Sequence, residues 1–180
     1  MSGSINTSTM AEVHTARTLP DCTPIQSPVL AAMAYPEVAV DASDLSAEAL
    51  EIARINVERH HLEKRITIVE SDLFAQLPAR YDLILCNPPY VNDASMAALP
   101  PEYRAEPALA LAGGADGMDL VRRIVAEAPA HMSDDAVLVL EVGHERAHFE
   151  RAFPHLAGAW LETSGGDDRV VLIERDALVA

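Results

Sequence analysis

At 180 residues, with 49% hydrophobic and 23% charged side chains, the chain is long enough for one domain with a proper core. No apolar run reaches the length that spans a bilayer. Thirteen Lys plus Arg against 28 Asp plus Glu give a formal charge of −15, the wrong sign for a free-standing binder of nucleic-acid backbone. That acidity either attracts a basic protein partner or simply keeps the chain soluble. Cys22 and Cys86 make neither a metal spacing nor a disulfide framework, which points to a reducing cytoplasm. Cys86 is expected in the core. His60 and His61 are adjacent on a helix end and point in different directions, so no metal site is expected from them.

Residues 1–16 are read as a disordered start. Their first nine are polar and Ser/Thr-rich, with neither the basic region nor the apolar stretch of a secretory signal. A first strand is wanted near residues 17–22, although Pro20 argues against a central one. Residues 29–35 predict a short helix stopped by Pro36. Residues 37–44 predict a strand ending in Asp44. Ser46 then caps a helix, with Glu48 in its first turn and Leu50, Ala53 and Val57 as the buried stripe. Residues 65–70 and 81–86 predict two more strands, closed by Ser71-Asp72-Leu73-Phe74 and by Asn87-Pro88-Pro89-Tyr90.

Residues 91–118 form a long irregular stretch whose aromatic and apolar content suits an ordered lid or substrate loop. A helix is expected over 119–131, with Leu120, Ile124 and Ala128 on its buried face. A strand over 136–142, a turn at Gly143 and a short helix over 145–153 follow. Strands over 158–163 and 169–174 flank the turn-forming Ser164-Gly165-Gly166-Asp167-Asp168. Strands alternating with helices, then a closing hairpin, predict a doubly wound, mostly parallel sheet.

The chemistry centres on Asn87-Pro88-Pro89-Tyr90. Pro88 and Pro89 make a stiff, extended turn at the carboxyl end of a strand, because each proline restricts the residue before it. In open α/β sheets that end is where ligands sit. Asn87 offers an amide oxygen, the Pro88 carbonyl has no local ladder to join, and Tyr90 adds a flat apolar face. Two acceptors and a flat face can hold a planar –NH2 group by both hydrogens, a gain made mostly by positioning. Asp44 stands where nucleotide-binding α/β folds place an acid for ribose hydroxyls, though a carboxylate flanking a helix is common alone.

Asn-Pro-Pro-Tyr after an apolar strand resembles the amino-methyltransferase motif of S-adenosylmethionine-dependent enzymes. With Asp44-Leu45-Ser46, Ser71-Asp72-Leu73-Phe74, the run from Tyr103 to Leu111 and Gly113-Gly114-Ala115-Asp116-Gly117 in the same order, the chain resembles the protein glutamine methyltransferases. Its ending, Trp160 to Asp168, is most similar to the branch acting on large-ribosomal-subunit protein three. The sister branch acts on release factors, and DNA adenine methyltransferases share only the core motif.

The resemblance implies a Rossmann-like methyltransferase fold over residues 17–180, with S-adenosylmethionine as methyl donor. It implies Asp44, Asp72, Leu73 and Asn87 at the cofactor, where Asp72 would take the adenine amino group and Leu73 would pack or bond through its backbone. It implies Asn87, Pro88, Pro89 and Tyr90 at the substrate amide, with Asn87, Pro88 and Tyr90 carrying catalysis. The implied partner is a basic translation protein, with no metal, membrane or direct nucleic acid.

Two departures accompany it. No counterpart of the family's helical amino-terminal domain is expected within these 180 residues. The family's loop Asp-x-Cys-Thr-Gly-Ser-Gly corresponds to residues 21–28, which hold two prolines and no glycine. Glycine there lets the backbone approach the methionine moiety at positive φ. Cofactor binding is therefore expected to be weak, and a non-catalytic remnant of the family is the competing expectation.

Overall fold

The computed structural model describes residues 9–14, 27–78, 80–90, 114–164 and 166–180. Among them a seven-stranded sheet runs in the order β3-β2-β1-β4-β5-β7-β6. Its strands are β1 (Thr9–His14), β2 (Ala39–Asp44), β3 (Ile66–Glu70), β4 (Tyr81–Asn87), β5 (Met132–Glu141), β6 (Ala159–Thr163) and β7 (Gly166–Glu174). The first five are parallel. β7 is antiparallel to β5 and to β6. The helices are α1 (Ser27–Ala34), α2 (Ala47–Arg59), α3 (Asp119–Glu127), α4 (Arg146–Ala152) and α5 (Arg175–Val179). The expected doubly wound sheet with its carboxy-terminal hairpin is present.

The first strand corrects the sequence reading. It lies at Thr9–His14, inside the stretch read as disordered, and it pairs with both β2 and β4. Thr-Met-Ala-Glu-Val-His has few β-branched residues and no apolar run, so only its place between two neighbours makes it a strand. Residues 17–22 lie outside the described residues.

β1 is also where the chain order reverses, since β2 and β3 lie on one side and β4 and β5 on the other. Such a switch point opens a crevice at the carboxyl ends of the strands. Register places Asp44 beside Glu70, and His14 beside Asn87. Cys86 pairs with Leu140, so Asn87 and Glu141 are neighbours at the same edge.

The core on one face of the sheet gathers Tyr81, Ile84 and Cys86 of β4, Leu138 and Leu140 of β5, Ile173 of β7, and Phe74, Met118, Val121 and Ile124. A second cluster packs Val29 and Ala32 of α1 and Val57 of α2 on Val40, Ala42 and Ile66. Leu83 and Leu85, alternating with Ile84 and Cys86, face this second cluster. Tyr81, fully buried, donates its hydroxyl proton to Asp41 Oδ2 on β2 at 2.8 Å, tying together the two strands that flank β1.

Ser46 caps α2 as expected, its Oγ accepting from Ala49 N at 3.2 Å. The helix expected over 119–131 ends earlier. α3 gives way to a 3-10 turn, Ala128–His131, where Pro129 removes a backbone donor. Val121, rather than Leu120, joins Ile124 on the buried face. Asp116 anchors the approach to α3, accepting from Met118 N and from Arg122. The guanidinium of Arg122 holds the Asp116 carboxyl down at about 2.

Arg65 fixes the end of α1. Its guanidinium donates to the carbonyls of Ala32, Tyr35 and Val38 at 2.6, 2.6 and 2.8 Å. The last carbonyls of a helix lack intrahelical donors, and a cation there is favoured by the helix dipole. Arg65→Met should lower unfolding free energy by about 2–3 kcal/mol, because carbonyls lose charge-assisted bonds. Urea denaturation checks this, and a loss below the scatter of the extrapolation would show these bonds to be incidental.

Candidate functional site

The carboxyl ends of β2, β3, β4 and β5 bring the sequence-predicted residues to one edge. Asp44, the last residue of β2, is 2% exposed, and its Oδ1 accepts from Ser46 N at 2.7 Å. Its backbone oxygen accepts from Ser71 N at 3.0 Å, joining the ends of β2 and β3. The acid is therefore held in one orientation by the cap of α2.

Asp72 follows the end of β3. Both of its carboxylate oxygens accept from Arg123 of α3, at 3.1 Å each. The sequence gives no sign of this partner, 51 residues away. A carboxylate offers about four lone-pair sites, so the bidentate guanidinium leaves acceptor capacity on Asp72. Leu73 has φ +51° and a fully buried side chain. A left-handed leucine is uncommon, and such outliers collect at ligand sites. Its side chain belongs to the core, so what Leu73 offers a ligand is backbone. Ser71 holds this turn, its Oγ donating to Leu73 O at 2.8 Å and accepting from Gln76 N at 3.0 Å.

At the end of β4, Asn87 Oδ1 is buried and has no hydrogen-bond partner among the described residues. Buried polar atoms are nearly always satisfied, and an exception asks for an explanation such as a ligand. Pro88 is buried and Pro89 half-buried beside it. Tyr90 is 8% exposed and donates its hydroxyl proton to Glu141 Oε1 at 3.3 Å. His144 meets its ring edge-on. Glu141, the last residue of β5, and Gly143 and His144, from the turn after it, were not singled out by the sequence as site residues. Only the turn signal at Gly143 hinted at them.

Residues 15–26, including most of the loop that lacks glycine, and the stretch 91–113 lie outside the described residues. No cluster of metal-ligating side chains occurs among the described residues, and no helix there is long and apolar enough to cross a membrane.

A methyltransferase from Pyrococcus furiosus superposes with TM-score 0.54 at 18% identity, covering 81% of this chain and 66% of that one. The chain has the methyltransferase fold. The methyltransferase small domain matches residues 28–99, which hold Asp44, Asp72 and the Asn87–Tyr90 turn of that fold. The ribosomal protein uL3 glutamine methyltransferase of Bordetella pertussis is 60% identical over 151 residues, covering 83% of this chain and 51% of the relative. That of Burkholderia pseudomallei is 54% identical over 160 residues, covering 84% of this chain and 52% of the relative. The resemblance to the protein glutamine methyltransferases therefore extends over most of this chain, which spans about half the length of these curated relatives.

The donor set at the edge of this methyltransferase fold suits an adenosine ligand. A fixed, buried carboxylate ends β2, beside the switch point, and a second carboxylate follows β3, one strand further out along the same edge. Asp44→Asn keeps an oxygen for Ser46 N and removes the charge. It should weaken S-adenosylhomocysteine binding by about tenfold or more, the scale of one hydrogen bond to a charged group. Calorimetric titration reads this directly, and an unchanged affinity would remove Asp44 from the site.

Proposed function

We propose that this chain methylates the side-chain amide nitrogen of a glutamine in a basic ribosomal protein, with S-adenosylmethionine as methyl donor. The observation that carries the reading is Asn87 Oδ1, a buried acceptor at the carboxyl end of β4 that has no partner among the described residues. Asn87 Oδ1 and the Pro88 carbonyl accept the two hydrogens of the substrate amide, and Tyr90 lies along its plane. An amide nitrogen is a poor nucleophile because its lone pair is delocalised. Accepting both hydrogens fixes its direction and favours a more pyramidal nitrogen. The prolines keep the acceptors in place, so the effect is one of positioning.

Asp44 takes the ribose hydroxyls, and Asp72 with the backbone of Leu73 takes the adenine edge. When bound, S-adenosylmethionine supplies an electrophilic methyl group. The charge of −15 favours encounter with a basic protein over nucleic acid. The names of the curated relatives support a uL3-type ribosomal protein as the substrate.

Incubation with methyl-labelled cofactor and, separately, a uL3-type ribosomal protein, a release factor or duplex DNA tests the reading. Label is expected in the ribosomal protein. Transfer mainly to the release factor would reassign the substrate. Transfer to DNA, or none at saturating cofactor, would overturn the reading.

A further inference from the structure

We propose that Gly143 and Glu141 are positioning residues that set the width of the amide slot through Tyr90; this rests on the reading of Asn87 and Pro88 as the amide acceptors. A β-carbon on Gly143 would lie 2.2 Å from Tyr90 Cε2 and 2.6 Å from Cζ. The ring thus rests directly on the backbone of the turn after β5. Gly143 also has φ +55°, so two independent requirements meet at one position. The Tyr90 hydroxyl reaches Glu141 Oε1 at 3.3 Å, long for an O–H···O bond, so the glycine is the firmer support. His144 closes a further side, its ring at 89° to that of Tyr90 with centroids 6.5 Å apart.

These supports come from the end of β5, the strand beside Asn87, and from the turn that follows it. Cys86 and Leu140 are register partners, so Asn87 and Glu141 stand side by side. A planar amide held through its two hydrogens by Asn87 and Pro88 would then have the Tyr90 ring against its plane. Where the ring rests decides how the amide nitrogen is aimed. A shifted ring misplaces that nitrogen without unmaking the sheet, and small misplacements cost large factors in rate.

The test uses the full 180-residue chain with isotope-labelled tyrosine rings, Tyr90→Phe serving to assign the Tyr90 signals in NMR spectra. Gly143→Ala and Glu141→Leu should each move the Tyr90 signals and leave those of Tyr81 in place. Each should lower kcat for glutamine methylation by about tenfold or more, with S-adenosylhomocysteine affinity unchanged. Glu141→Gln, which keeps an acceptor oxygen, should hold signals and kcat near those of the parent. If Gly143→Ala loses the Tyr81 signals and so fails to fold, the two Glu141 variants carry the test. Unmoved Tyr90 signals would overturn the seat, and moved signals with unchanged kcat would overturn the positioning role alone. A parent chain that methylates no glutamine would overturn the functional reading, and this role with it.

Discussion

Asn87→Ala should lower methyl transfer at least about a hundredfold, the scale of losing alignment between reacting groups. The same change should leave the unfolding midpoint where it was, or raise it slightly. Both expectations come from one atom. Asn87 Oδ1 is buried without a partner among the described residues, so its removal breaks no described bond. Removing an unsatisfied buried acceptor ends a desolvation cost rather than a stabilising contact. Asn87→Asp is the informative companion. It restores an acceptor oxygen but adds a charge, and it loses the neutral geometry of the amide. Rates from single-turnover transfer, set beside urea midpoints, separate the two effects. Near-normal turnover in Asn87→Ala would remove the amide-holding mechanism.

The largest expected effect on stability belongs to Tyr81→Ala, at about 3–5 kcal/mol, the usual cost of deleting a buried aromatic ring. Tyr81 is fully buried in the main core, and its hydroxyl binds Asp41 on β2. The truncation empties space between β4 and its neighbours and leaves an Asp41 oxygen without this donor. Tyr81→Phe removes the bond alone and should cost about 1 kcal/mol. Domains of this kind have about 5–15 kcal/mol in total, so Tyr81→Ala approaches the limit of folding. Urea unfolding followed through Trp160 measures both variants. Equal losses in the two would place the contribution in the hydroxyl and contradict the packing account.

The fold was legible where local pattern and tertiary context agree. β3 and β4 are short, mostly apolar strands closed by Ser71 and the Asn87–Pro89 turn, and β2 is a short strand of small and acidic residues that ends in Asp44 ahead of the Ser46 cap, so each stop has a local cause. The closing hairpin was legible from the Gly-Gly-Asp-Asp signal. β1 was not, because Thr9–His14 carries no strand pattern of its own and is made by two neighbours. Helix ends moved for similar reasons, since Pro129 stops α3 earlier than its apolar period suggests.

Within the candidate site, the residues on the strand ends could be named from the sequence because their motifs are contiguous. Their supports could not. Arg123 meets Asp72 across 51 residues, and Gly143 meets Tyr90 across a strand-pair edge that no local pattern announces. The left-handed backbone of Leu73 is equally silent in the sequence, since leucine is a poor marker for positive φ.

The central claim concerns one atom of the product. A uL3-type ribosomal protein, treated with this chain at saturating S-adenosylmethionine, can be digested and its fragments sequenced by tandem mass spectrometry. The account predicts the added mass of one methyl group on a glutamine side chain, and its disappearance with Asn87→Ala. A methyl group on any other residue type, or the same glutamine product from Asn87→Ala, would contradict it.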